Sequence, residues 1–202
     1  SQMDGLRKQF LIRPDVIFFN HGSYGACPRP VFEKYQYWQR ELESQPVEFL
    51  QRRLKTLLED SRGALCEYVG AGEDDLVYVT NASTAVNIVA RSLELDPGDE
   101  VLTTDHEYGS MNRVWEMMCA TRGARYIYQS VELPATSQEH VVEQVWSGVT
   151  PQTRVLFFSH ITSPSALLFP VTELVRRARD AGIIVVVDGA HAPGQLPLNL
   201  DE

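Results

Sequence analysis

The chain has 202 residues, 44% of them hydrophobic, and a formal net charge of −9. This length suits one domain, or one domain plus an arm, with a substantial core. No basic cluster stands out and the apolar runs are too short to span a bilayer, so we expect neither a nucleic-acid nor a membrane partner.

An arm is predicted for residues 1–28. It begins with a short polar helix and an extended segment at 16–19, and a glycine-punctuated loop follows at 20–25. Two helices are predicted next, at 31–44 and 47–69. The second carries leucines at helical spacing and is followed by glycines.

Residues 29–202 are expected to form a large domain, and from residue 76 onward strands and helices alternate. This alternation with short connections predicts an α/β fold: a mostly parallel sheet with helices on both faces, incomplete at its C-terminus. The predicted strands are 76–79, 100–104, 125–129, 154–158 and 183–187, and the predicted helices are 83–93, 108–121, 139–147 and 172–180.

The last predicted strand carries a carboxylate at its end. Residues 183–187 are all β-branched, which is typical of a strand buried on both faces, and Asp188 and His191 follow. Ligands of open α/β sheets bind at the carboxyl ends of the strands. Since a buried carboxylate is costly unless paired, Asp188 indicates a cationic partner such as a protonated heteroaromatic nitrogen.

Three other strand ends also carry polar groups. Small hydroxyl residues at 80–85 begin a helix, which indicates either an anion site or an ordinary helix cap. His106 and Tyr108 could stack on a flat ligand or be surface residues, and His160 could be an ordinary loop histidine. Taken together, a phosphate site, a stacking ring and a buried carboxylate suit pyridoxal phosphate.

The sequence resembles the class V aminotransferase family of fold-type I pyridoxal-phosphate enzymes, and within it the isopenicillin-N epimerase-like branch. Five runs carry the resemblance, in family order and over nearly the whole chain. They are 19–25 (Phe-Asn-His-Gly-Ser-Tyr-Gly), 81–84 (Asn-Ala-Ser-Thr), 105–109 (Asp-His-Glu-Tyr-Gly), 159–164 (Ser-His-Ile-Thr-Ser-Pro) and 187–194 (Val-Asp-Gly-Ala-His-Ala-Pro-Gly).

The resemblance implies a role for each matching residue. Asp188 would keep the ring nitrogen protonated, and the cationic ring would then act as the electron sink. His106 would stack on the ring, or Tyr108 if the register differs. The phosphate would contact Ala82, Ser83 and Thr84. His191 and Ser163 would lie near the phenolic oxygen, where many relatives have asparagine at the position of Ser163. Asn20, His21 and Gly22 would line the substrate entrance.

No catalytic residue is assigned within the chain. Relatives place the Schiff-base lysine beyond the aspartate strand, whereas Lys8, Lys34 and Lys55 all precede the phosphate loop. We therefore expect the N-terminal half of an enzyme that acts at the Cα of an amino acid, with a homodimer in the full-length form.

Two alternatives stay open: a non-catalytic α/β ligand-binding or interaction module, and a metal-dependent hydrolase using Asp105, His106, Asp188 and His191. No metal site is our expectation. Three widely spaced cysteines without a Cys-x-x-Cys pair favour a reducing, cytoplasmic compartment.

Overall fold

The computed structural model describes residues 2–201, without the side chains of residues 2–4. It divides into two compact units, one containing residues up to 76 together with those from 199 onward, the other residues 77–198. Residues 1 and 202, the outer limits of the predicted arm (1–28) and large domain (29–202), lie outside the described residues. That division remains a prediction.

The first unit is helical. The predicted helix 31–44 is confirmed, and the predicted helix 47–69 begins one residue earlier and includes a π-helical stretch. The predicted loop 20–25 contains a helical turn, closed by the Tyr24 N–H donating to the Asn20 carbonyl at 3.0 Å. The elements are α1 (Gln2–Arg7), α2 (His21–Tyr24), α3 (Arg29–Ser44), α4 (Pro46–Glu48), the π-helical segment (Phe49–Arg53) and α5 (Leu54–Val69).

Packing in this unit joins α3 to the π-helical segment. The Trp38 ring lies edge-on to buried Phe49, with centroids 6.2 Å apart. Arg53 donates to Glu41 from two nitrogens at 3.1 Å. The helix α5 ends at Gly70, whose φ of 64° is the left-handed conformation that glycine adopts without a steric cost.

The second unit is built on a parallel sheet of order β2-β1-β3-β4. The chain runs from β1 to β2 on one side and then to β3 on the other, so the topological switch point lies between β1 and β3. The elements are α6 (Ala82–Ser92), β1 (Glu100–Thr104), α7 (Gly109–Arg122), β2 (Arg125–Gln129), α8 (Gln138–Trp146), β3 (Thr153–Ser159), α9 (Val171–Asp180) and β4 (Ile184–Asp188).

Helices cover both faces of this sheet, as predicted, because successive side chains of a strand point to opposite faces. Val101 and Phe157 belong to a core cluster with residues of α6 and α7, including Trp115. Their neighbours Leu102 and Phe158 belong to a second cluster with residues of α8 and α9. The two clusters fix the register of β1 and β3 and hence which residues reach the carboxyl edge.

Two strand predictions are wrong in part. Residues 76–79 form no strand, and Val77 is 74% exposed. The last strand was expected to be buried on both faces, yet Ile184 is 48% exposed and Val185, Val186 and Val187 are half-buried. Both departures have one cause: in the described chain residues 76–79 have no partner strand, and β4 has one only on its β3 side.

Candidate functional site

The carboxyl ends of β1, β3 and β4 place two acidic side chains in the interior. Thr104 ends β1, and Ser159 and Asp188 are register partners at the ends of β3 and β4. Glu107 follows β1 and turns inward, so that it is only 5% exposed, and Asp188 is 8% exposed. Two buried carboxyl groups therefore lie at the carboxyl edge of the sheet.

Glu107 is held by both strands that flank the switch point. The Thr104 hydroxyl donates to Oε1 at 2.6 Å, and the Ser159 hydroxyl donates to Oε2 at 2.5 Å. Burial raises the pKa of the Glu107 carboxyl, opposed by these hydrogen bonds, while the negative charge of Asp188 raises it further. Burial and the charge of Asp188 thus favour the neutral acid at this position and outweigh the hydrogen bonds.

Asp188 is placed by the backbone around it. Its Oδ1 accepts from the Ala190 N–H at 3.0 Å, and its carbonyl accepts from the His160 N–H at 2.9 Å. None of the ion pairs formed by the described residues includes Asp188 or Glu107. A buried carboxylate with one N–H donor is a strong acceptor for a cationic ligand.

His106 lies inside a network that joins three loops. Its side chain is 13% exposed, Nε2 lies 2.7 Å from the Val131 carbonyl, and Nδ1 lies 3.0 Å from the Ser165 hydroxyl. A carbonyl only accepts, so Nε2 carries a proton and donates to Val131. The Ser165 hydroxyl also lies 2.7 Å from the Thr162 hydroxyl.

Asp105 anchors the loop after β2 beside this network. Its carboxylate accepts from the Ser130 hydroxyl at 2.8 Å and the Val131 N–H at 2.9 Å. Partial burial alone would raise the pKa of Asp105, but these two hydrogen bonds and the nearby His106 together lower it below its ordinary value. Asp105 and His106 are thus occupied in loop structure.

Tyr108 offers a ring with a different environment. It is the residue before α7 and is 51% exposed, so its face is accessible. It follows Glu107 directly, which places it at the same carboxyl edge as Asp188. Of the two predicted stacking rings, Tyr108 is the more accessible.

The predicted phosphate loop begins α6. Ala82, Ser83 and Thr84 are its first residues, whose N–H groups have no acceptor within the helix. The Thr84 N–H is already bonded to the Asn81 side chain at 2.8 Å, and the Thr84 hydroxyl bonds Thr80 at 3.2 Å. This leaves Ala82 and Ser83 as the N–H donors of this helix end.

The other predicted contact residues occupy loops. Ser163 is exposed and His191 is half-buried, each in the loop that follows its strand, β3 or β4. Asn20, His21 and Gly22 lie in the first unit, where the His21 ring contacts the Phe18 ring at a centroid distance of 4.8 Å. Their predicted role at a substrate entrance remains a prediction.

Glu107 was the main omission from the sequence reasoning. In the run 105–109 the two rings are the more distinctive side chains, and a glutamate in a loop is ordinarily solvated. Its one sequence signal is position: it follows β1 at the switch point by three residues.

Among residues 2–201 no group of three or more His, Cys, Asp or Glu side chains is arranged to hold a metal ion, so the alternative based on Asp105, His106, Asp188 and His191 gains no structural support. No helix in the described chain is long and apolar enough to cross a bilayer.

The chain is similar in sequence to known proteins. Residues 17–202 match the family model "Aminotransferase class-V". The chain is 38% identical over 195 residues to isopenicillin N epimerase of Streptomyces clavuligerus, covering 96% of this chain and 49% of that protein. It is 29% identical to a probable chloroplastic L-cysteine desulfhydrase of Arabidopsis thaliana, covering 94% and 43%.

Solved structures share the fold. A cystine C-S lyase in complex with cysteine persulfide superposes with a TM-score of 0.85 at 24% identity, covering 93% of this chain and 51% of that one. The cysteine desulfurase CsdA of Escherichia coli gives 0.82 at 20% identity, covering 98% and 51%. The chain spans about half the length of the curated relatives it matches. The match over residues 17–202 shows that the chain belongs to the class V aminotransferase family.

Proposed function

We propose that this chain is the pyridoxal-phosphate-binding half of an enzyme that acts at the Cα of an amino acid. The observation that carries the proposal is Asp188: a buried carboxylate at the carboxyl edge of a parallel sheet, without an ion-pair partner among residues 2–201. A protonated pyridine nitrogen supplies the positive charge and the N–H donor that this carboxylate lacks.

The start of α6 fits the other end of the same ligand. Ala82 and Val186 of β4 pack against the same core cluster, so α6 and β4 share a face of the sheet. A phosphate group placed here would accept from the Ala82 and Ser83 N–H groups and the Ser83 hydroxyl, with the helix dipole favouring its charge. Thr84 would contribute only after releasing Asn81.

The remaining roles follow from accessibility. The exposed ring of Tyr108 supports a stacking role there, while His106 would act by holding the loops after β2 and β3. Ser163 and His191 would approach the phenolic oxygen, and Asn20, His21 and Gly22 would line the substrate entrance. Pyridoxal phosphate supplies the electron sink for Cα chemistry, and the protein orients it and sets its charge.

The substrate class is inferred from the relatives. Isopenicillin N epimerase and L-cysteine desulfhydrase are named for reactions of amino acids or their derivatives, and both reaction types begin at an activated Cα. We propose the same class of substrate here, with a homodimeric, cytoplasmic full-length enzyme.

A second candidate is a module of this family that binds its ligand without covalent attachment. The favouring observation is that the three lysines of the chain, Lys8, Lys34 and Lys55, all lie in the first unit and precede α6. Borohydride reduction after addition of pyridoxal phosphate, followed by peptide mapping, would separate the candidates: a single lysine labelled in full would show that the chain itself attaches the cofactor.

The test of the main proposal uses pyridoxamine phosphate, which does not react with surface lysines. Equilibrium dialysis should show saturable binding of one equivalent, with pyridoxamine lacking the phosphate binding at least about tenfold more weakly because the contacts at α6 are lost. Equal binding of the two compounds, or no saturable binding, would contradict the proposed site.

A further inference from the structure

The structure contains a second buried acid close to Asp188 whose role is not explained by the contacts expected for the cofactor. Glu107 lies between the ends of β1 and β3 and accepts hydroxyl hydrogen bonds from both, at 2.6 Å and 2.5 Å. Ser159, one of its two partners, is in register with Asp188 on the neighbouring strand. Glu107 is therefore connected to Asp188 through one residue of β3.

Repulsion between the two buried acids favours a proton on one of them. Two carboxylates buried close together without a cation repel each other, and one of them takes a proton. The ionisable groups that interact with Glu107 are Asp188 on β4 and Tyr126 on β2, and neither side chain can carry a positive charge. Burial raises the pKa of the Glu107 carboxyl, and Asp188 adds to this effect.

Burial and charge place the proton on Glu107 against the direction of its hydrogen bonds. The Thr104 and Ser159 hydroxyls and the Ser159 backbone lower the pKa of Glu107, but burial and the charge of Asp188 outweigh them. A hydroxyl can donate to a carboxylate or accept from a protonated carboxyl with little rearrangement. The two hydroxyl partners thus accommodate a neutral Glu107.

Resting on the proposed function, we propose that Glu107 is a positioning residue for Asp188: as the neutral member of the buried pair it ties β1 to β3 and leaves the negative charge on Asp188, facing the cofactor site. It acts through Ser159 and the charge of Asp188, without touching the cofactor.

The first arm of the test follows the carboxyl ¹³C resonance of Glu107 with pH in chain labelled at glutamate, assigned by its loss in Glu107→Gln. We expect its midpoint to lie above that of ordinary glutamate and to fall when Asp188→Asn removes the neighbouring charge. A midpoint at or below the ordinary value, or one indifferent to Asp188→Asn, would overturn the pair.

Glu100 provides the matched control for this arm. It is also a buried glutamate attached to β1, but it lies at the amino end and is paired with Arg125 at 2.5 Å and Thr150. Glu100→Gln should leave the Glu107 midpoint unchanged. A shift as large as that caused by Asp188→Asn would show that Glu107 reports general loosening of the sheet instead of the charge on Asp188.

The second arm measures binding of pyridoxamine phosphate across pH. Glu107→Gln, the isostere of the neutral acid, should bind within about threefold of the wild type at low pH. It should lack the rise in affinity that the wild type gains as Glu107 ionises, because a second carboxylate beside Asp188 attracts the cationic ring. Glu107→Leu loses both hydroxyl contacts and should bind about tenfold more weakly or worse at every pH. An unchanged pH profile in Glu107→Gln would overturn the positioning role.

The two arms separate the two proposals. If the wild type fails to bind pyridoxamine phosphate while Glu107 titrates as expected, the proposed function fails and the carboxyl pair remains. If the ligand binds but Glu107 is ionised in the ordinary range, the proposed function stands and the role of Glu107 is refuted.

Discussion

Asp188→Asn should weaken ligand binding without weakening the fold. In the wild type the buried carboxylate of Asp188 has one N–H donor, from Ala190, and no ion pair among the described residues. With pyridoxamine phosphate bound, it would accept a charge-assisted hydrogen bond from the protonated ring nitrogen. Such bonds contribute about 1.5–3 kcal/mol, which corresponds to a rise in Kd of roughly 10- to 150-fold when the charge is removed.

The effect on stability should have the opposite sign or be absent. Asparagine has the same shape, and its oxygen can still accept from Ala190. In the free chain, moreover, Asp188→Asn removes a buried charge that disfavours ionisation of Glu107. Removing an uncompensated buried charge is commonly neutral or stabilising, so the free energy of unfolding should not fall by more than about 0.5 kcal/mol.

The assay pairs equilibrium dialysis with urea denaturation on the same preparations. Asp180→Asn is the matched control, since Asp180 is an exposed aspartate at the end of α9 that pairs with Arg176 at 3.0 Å; it should change neither quantity appreciably. An unchanged Kd for Asp188→Asn would refute the pairing with the ring nitrogen. A loss of stability above about 1 kcal/mol would show that Asp188 is a structural residue of the sheet.

Three further predictions concern the surroundings of the site. His106→Ala leaves the Val131 carbonyl without its hydrogen bond and creates a cavity, so it should cost about 1–3 kcal/mol of unfolding free energy in urea titrations. Tyr108→Ala should change the unfolding free energy by no more than about 0.5 kcal/mol but weaken pyridoxamine phosphate binding. The reverse pattern would make His106 the stacking ring. Phe157→Ala, in the fully buried contact with Trp115, should cost about 3–5 kcal/mol, against less than about 0.5 kcal/mol for exposed Phe19→Ala. Burial raises the pKa of Glu107 above its ordinary 4.5, so the folded state keeps a proton that the unfolded state loses, and the stability of the wild type falls as pH rises above that value. The melting temperature of Glu107→Gln relative to that of the wild type should therefore increase between about pH 4 and about pH 7. A constant difference would contradict the assignment.

The sheet was largely predictable because its signals are local. Each of β1 to β4 lies within one residue of its predicted position, since β-branched and aromatic runs bounded by turn residues encode strands directly. The placement of helices on both faces followed from the alternation of elements. Asp188 was found because a carboxylate after five apolar residues is conspicuous in any single sequence.

The number of partner strands beside each strand could not be predicted from the sequence. Residues 76–79 have the composition of a strand, and those of β4 have the composition of a strand buried on both faces. A run of β-branched residues expresses a preference for a pleated surface, whereas pairing depends on another segment at the right distance. The exposed Val77 and the exposed Ile184 both follow from that difference.

The roles of His106 and Glu107 were hidden for a related reason. Both stand in the same short loop after β1, and nothing in the local pattern says which of two adjacent side chains turns inward. Their environments come from residues 25 to 59 positions away: Val131 and Ser165 around His106, and Ser159 beside Glu107. Only the sheet order brings these segments together.

That sheet order also places the two acids. Glu107 lies at the switch point and bonds to both β1 and β3. One strand further along, Asp188 lies at the carboxyl end of β4. The roles proposed for the two acids therefore rest on position in the sheet more than on residue type: Glu107 bonds to both β1 and β3, and Asp188, at the end of β4, is the carboxylate proposed to meet the cationic ring.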